Sequence, residues 1–186
     1  MDKLLNFILF QIGWFSAVLG GASGRPWFGV IVICFIVLFR LSRVDSIKEE
    51  LTLILIIAVT GGLLDSIFVY LGWISYPSGH INEYLTTYWI IAMWMSFATT
   101  LNSSMAWLKK SKLLSSFFGF FGGPLTYYGG YKLNAIEFSD FNSAMIGLAF
   151  GWAVIIPLLL ILADSLHVFF HQSNELSFLF FLQTTN

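Results

Sequence analysis

Two constellations in this chain have the residue types and spacing for chemistry. The first is a lone carboxylate, Asp65, inside the apolar run 51–73, with Gly61 one turn before it and Gly62 three residues before it. A charge at the centre of a bilayer costs about 2.5 to 3.5 kcal/mol on insertion scales, so such a group faces protein or water. One reading is a proton-linked or substrate-binding carboxylate; the other is a structural carboxyl that hydrogen-bonds a neighbouring helix. The glycines fit both, because they let another helix approach that face. The second constellation is Asp164, His167, His171 and Glu175, at intervals of three, four and four. On a continuous helix they share one face, and two histidines four apart can chelate zinc. The zinc-protease glutamate that follows the first histidine is missing, so a solvated polar face is the better reading and no metal is expected.

Other polar groups sit where lipid would reject them. Asn6 and Gln11 fall in the first apolar run, with Trp14 one turn beyond Gln11. Amides in hydrocarbon seek partners on other helices, and such bonds are worth only about 0.6 kcal/mol on average. Ser96, Thr100 and Ser104 recur at four-residue spacing on one stripe, with Asn102 beside them. Gly122-Gly123-Pro124 interrupts the fifth run, and Tyr127 and Tyr128 follow it. Proline removes a helical hydrogen bond and glycine loosens the helix, so the triplet reads as a broken helix lining a site or as a packing kink. Asn6, Gln11, Trp14, Asp65, Asn102, Gly122, Gly123, Pro124 and Tyr127 are therefore the candidate lining of one polar pocket, built by the first, third, fourth and fifth helices. Cys34 has no intrachain partner and reads as a buried thiol.

The elements that must position these residues are apolar helices. Of the 186 residues, 58% are hydrophobic and 10% charged, against about 25% charged in soluble domains. That is too little polar surface for a soluble skin. A span needs about 20 apolar residues. Six runs are expected to span, at 4–21, 27–41, 51–73, 87–108, 113–131 and 141–163, followed by a cytoplasmic or interfacial tail, 164–186. The fold class is an all-α polytopic transmembrane bundle in a single membrane domain. With the N-terminus inside, Lys3, Arg40, Arg43, Lys48, Lys109, Lys110 and Lys112 are cytoplasmic while only Arg25 and Lys132 lie outside. That bias fixes both termini on the cytoplasmic side. Net charge is near zero, so no nucleic-acid partner is expected. There is no phosphate-binding glycine loop, dinucleotide fingerprint or convergent Ser-His-Asp set, so no cofactor is expected. Gly119/Gly123 and Gly147/Gly151 read as helix-packing pairs.

Asn6-x4-Gln11-x2-Trp14, the segment from Trp94 to Trp107-Leu108 with Ser104 between, and Gly122-Gly123-Pro124-x-x-Tyr127 resemble a family of small uncharacterised bacterial inner-membrane proteins. The resemblance covers roughly residues 5–160. It implies a bacterial inner-membrane location and supplies no catalytic residues; the tail histidines fall outside it. Three functions compete. One is binding or transport of a small molecule or lipid with Asp65 as the ionisable group. Another is a membrane enzyme of lipid modification, using Asp65 or the Asp164/His167/His171 face. The last is an accessory subunit, or a homo-oligomer, that exposes Gly147/Gly151 to a membrane-protein partner. Membrane lipids surround the protein in every case.

Overall fold

In hydrocarbon every backbone N–H and C=O must be paired within the chain, and a helix does this segment by segment. The computed structural model describes residues 2–184, and the side chains of residues 2–172. It is an all-α bundle: α1 (Lys3–Ala22), α2 (Pro26–Leu41), α3 (Ile47–Tyr70), α4 (Tyr88–Leu101), α5 (Lys112–Lys132) and α6 (Phe141–Thr184), with a 3-10 helix at Ala106–Lys110. Two short antiparallel strands, β1 (Ile74–Ser75) and β2 (Glu137–Phe138), tie the α3–α4 loop to the α5–α6 turn, with Ile74 opposite Phe138.

The helix starts follow local chemistry. The Asp2 carboxylate accepts from Leu4 N at 3.1 Å, Ser46 Oγ from Glu49 N at 3.3 Å, and Ser111 Oγ from Leu114 N at 3.3 Å. Each satisfies an orphan N–H of a first turn. Pro26 opens α2, where its missing N–H costs nothing. Asp140 caps α6 by accepting from Ser143 N at 3.1 Å, and the Ser143 hydroxyl together with that N–H holds its carboxyl below the usual carboxylate value.

The bundle has an apolar core that carries a few buried polar groups, and its outer face is apolar as well. On α3, Leu51, Leu55, Val59, Leu63 and Ile67 form an exposed stripe, while Asp65 and Ser66 are buried. On α6, Ile146, Phe150, Val154 and Leu158 are exposed in the same way. A soluble protein rarely exposes contiguous apolar patches of this extent. Glycines set the closest contacts. A Cβ at Gly29 of α2 would overlap the Ala17 backbone of α1, one at Gly61 the Trp94 indole of α4, and one at Gly119 the Trp152 carbonyl of α6. Consequently α1 packs along α2, α3 along α4, and α5 along α6, with α4 in contact with both α1 and α2. Helices α1 and α5 do not pack along one another.

Several boundaries differ from the sequence reading. Helix α3 begins at Ile47, because the Ser46 cap and the acidic Glu49 and Glu50 of the first turn favour a helix start there. Helix α4 ends at Leu101, where Asn6 of α1 donates to the Thr99 carbonyl and the N–H groups of Ser103 and Met105 turn back onto Thr100 O. Helix α5 is continuous through Pro124. Of the two readings of Gly122-Gly123-Pro124 the broken helix is not the one seen, since one missing N–H is tolerated where neighbouring helices hold the segment. Helix α6 does not stop at Ala163 but runs on to Thr184. Not all six runs have the length and apolarity of a span. Helices α1, α3 and the 141–172 part of α6 do; α2 and α4 are apolar but shorter, and α5 is long but rich in glycine, serine and tyrosine.

The glycines of α5 predict opposite outcomes. Gly119→Ala overpacks the α5–α6 contact and lowers stability by about 1–3 kcal/mol. Gly122 meets only Phe118 at ordinary contact distances, so Gly122→Ala stays within about 1 kcal/mol of the parent. Thermal unfolding in detergent distinguishes the two.

Candidate functional site

A carboxylate buried in a bundle is stable only if donors reach its oxygens. Asp65, on α3, is 0% exposed. Its Oδ2 accepts from Trp94 Nε1 of α4 at 2.6 Å. Its Oδ1 accepts from the Tyr76 hydroxyl of the α3–α4 loop at 3.3 Å and from the Tyr127 hydroxyl of α5. Gly61 makes this cage buildable, since without a side chain it lets the Trp94 indole lie flat against α3 one turn below the carboxylate. Burial, with the Asp65 charge beside it, pushes the Tyr76 hydroxyl well above the usual tyrosine value, so it stays a donor.

The loop that delivers Tyr76 is itself pinned. Tyr76 packs edge-on against Trp89, with ring centres 5.6 Å apart. Trp89 Nε1 donates to Ser78 O at 3.1 Å, and Ser78 Oγ donates to Gly21 O of α1 at 2.6 Å. Ser66 Oγ, one residue after the carboxylate, accepts from Thr86 N at 3.0 Å. The α3–α4 loop thus closes over the Asp65 end of the bundle.

Beside the cage lies a small aromatic cavity of about 50 Å³ that Asp65, Trp14 and Tyr127 help to line. Trp94 and Trp152 stack at 5.0 Å and 10°, and Phe97 stands edge-on to both. Trp14 Nε1 is buried without a hydrogen-bond partner. A groove of about 310 Å³ adjoins this cavity, sharing Phe10, Phe97, Thr126 and Trp152 with it and running past Gln11, Gly122 and Gly123. It occupies the gap between α1 and α5.

The nine residues grouped by sequence therefore separate. Asp65, Tyr127 and Trp14 come together; Gln11, Gly122 and Gly123 line the adjoining groove. Pro124 is buried in α5 and lines neither. Asn6 is not in the pocket. It clasps the end of α4, donating from Nδ2 to Thr99 O at 3.2 Å and accepting from Ser104 Oγ at 2.6 Å. Asn102 belongs to a charged cleft of about 410 Å³ at the other end, where its Oδ1 accepts from Lys109 Nζ at 2.7 Å. In that cleft Arg40 grips Glu50 through buried side chains at 2.7 Å, Lys109 meets Asp164 at 2.7 Å, and His167 Nδ1 lies 3.0 Å from Glu49 Oε1.

Asp164, His167 and His171 share the cleft, yet Asp164 and His167 are spent on separate partners. Among the described residues no three metal-ligating side chains converge. Glu175 lies outside the residues whose side chains are described. Gly147 packs against Phe68 and Trp73 inside the chain, while Gly151 meets only the edge of Phe68. Sequence reasoning missed Tyr76 and Trp94 as members of the cage. Their donors reach Asp65 from 11 and 29 residues away, and no local period marks them.

A family model described as "Protein of unknown function (DUF2878)" matches residues 3–158. No curated protein and no solved structure matches the chain.

The cage makes Asp65 sensitive to its second oxygen. Asp65→Asn replaces one acceptor with a donor that faces a hydroxyl or indole N–H, and is expected to cost about 1–3 kcal/mol of stability. Tyr76→Phe, which removes one donor of three, costs about 1 kcal/mol. Chemical denaturation of both variants in the same micelle checks the order.

Proposed function

The chain belongs to the DUF2878 family of proteins of unknown function, and on that footing we propose that it binds a lipid-soluble small molecule inside the bilayer. The ligand occupies the groove between α1 and α5 and reaches the aromatic cavity beside Asp65. The observation that carries this reading is the pairing of a gap in helix packing with a lining that is not merely apolar. The gap is walled by aromatic rings and glycine backbone, and it ends beside a carboxylate held by three donors. Ligand sites are concave, mostly apolar and furnished with a few placed polar groups.

The same reading puts the protein in a bacterial-type inner membrane as a multi-pass bundle with both termini cytoplasmic. Its support is the exposed apolar girdle and the gathering of Arg40, Arg43 and Lys109 in one cleft at one end. Transport is less supported than binding. The cavity that touches Asp65 is small and aromatic, not a wet path. Catalysis is less supported still: in contact with Asp65 the titratable groups are Tyr76 and Tyr127, too few for convergent acid–base chemistry.

A second reading has its own observation. Asp65 is satisfied by protein donors alone, as a structural carboxyl would be. Under that reading it is the clasp that shapes the site, and the ligand contacts the walls.

Filling the groove tests the proposal. Gly122 is the wall position with room for a side chain. Gly122→Leu is expected to fold like the parent yet lose any lipid-soluble molecule that the parent retains through detergent exchange, read by native mass spectrometry. Equal retention by both proteins, or none by the parent, contradicts the reading.

A further inference from the structure

Two polar groups of α1 that line the groove and the cavity make no hydrogen bond among the described residues of the chain. The Gln11 amide has no partner among the described residues, and Trp14 Nε1 is buried without one. They stand one helical turn apart, so they share a face. That face lines the groove at Gln11 and the adjoining cavity at Trp14. Rising about 1.5 Å per residue from Lys3, they lie about 12 and 17 Å along α1. That is near the middle of about 30 Å of hydrocarbon. At this depth bilayer water is not available to satisfy a donor. Phe10, Phe97 and Trp152 line both spaces with rings, and the hydroxyls that also line them, Thr100, Ser104 and Thr126, are bonded elsewhere, to Phe97 O, Asn6 Oδ1 and Gly122 O.

We infer that the ligand of this groove carries a carbonyl-type oxygen at mid-bilayer depth, which accepts hydrogen bonds from the Gln11 side-chain amide and Trp14 Nε1. This deepens the binding reading and rests on it. An ordinary phospholipid does not meet the requirement, because its ester oxygens stay at headgroup level and its acyl chains carry no acceptor. The class that fits is a lipophilic chain or flat ring bearing a ketone, aldehyde or quinone-type oxygen. Its apolar body lies along Gly122 and Gly123, and its plane lies against the Trp152 and Phe97 rings. The opening between α1 and α5 lets it enter sideways from the bilayer without crossing a headgroup layer.

The test uses the full chain in nanodiscs with a brominated long-chain alkane as a tryptophan quencher. Displacement of the quencher is compared for a long-chain ketone, the alkane of equal length and a diacyl phospholipid. The ketone is expected to displace it at about three- to ten-fold lower concentration than the alkane, the range that one or two intramembrane hydrogen bonds provide. The phospholipid is expected to do no better than the alkane. Gln11→Leu is expected to erase most of the ketone's advantage over the alkane, both compared in that same variant. Equal displacement by ketone and alkane in the parent protein overturns the carbonyl inference and leaves lipid binding standing. An advantage for the phospholipid, or a ketone advantage that survives Gln11→Leu intact, overturns it as well. If the brominated alkane does not quench at all, the binding reading falls with it. The comparison in the parent protein decides the matter even if the variant does not fold.

Discussion

A carboxyl group surrounded by hydrocarbon is tolerable only when donors meet both oxygens, and Asp65 draws them from three separate parts of the chain. Trp94 comes from α4, Tyr127 from α5 and Tyr76 from the α3–α4 loop. Each of those groups would itself be costly if left unpaired at this depth. The carboxylate and its donors are therefore mutually required. This single knot fixes the approach of α4 to α3 at Gly61, the rotation of α5 that turns Tyr127 inward, and the seat of the loop over the end of the bundle.

The rest of the bundle follows from the apolar outer face that a bilayer allows. Lipid solvates the exposed stripes of α3 and α6, so there is no hydrophobic drive to collapse, and contact must come from close backbone approach and a few interior bonds. Gly29 on Ala17, Gly61 on Trp94, and Gly119 and Gly123 on Trp152 supply the first. The Asn6 clasp on Thr99 and Ser104 and the buried Arg40–Glu50 pair supply the second. Where neither operates, between α1 and α5, a gap remains. The groove is thus a consequence of where packing devices are missing, and it is lined by rings that the devices on either side hold in place.

Much of this was legible in the sequence, and the limits are physical. The helices announce themselves because length, apolarity and caps are local properties. Asp65 announces itself because an ionisable group in an apolar run is costly wherever it sits. Tyr127 was legible as a candidate only through its place after Gly122-Gly123-Pro124, where a role in the aromatic belt at the membrane surface was the competing reading. What local pattern cannot reveal is pairing. Asn6 and Asn102 plainly needed partners, but only the folded chain gives Asn6 to Ser104 and Asn102 to Lys109, near the opposite end from Asp65. Trp94 and Tyr76 look like ordinary membrane aromatics until the fold brings their donors to a carboxylate. Pro124 is instructive in the other direction. Its ring forbids one hydrogen bond, yet the Gly119/Gly123 contact with α6 holds the helix straight enough to continue.

If the Asp65 knot governs the structure, the loop above it should depend on that carboxylate. Hydrogen exchange of the backbone between residues 72 and 87, followed by mass spectrometry in nanodiscs, measures this directly. The account predicts slow exchange in the parent protein and fast exchange in Asp65→Asn, with α1 and α2 unchanged. A loop that already exchanges freely in the parent, or that stays protected after the substitution, would contradict it.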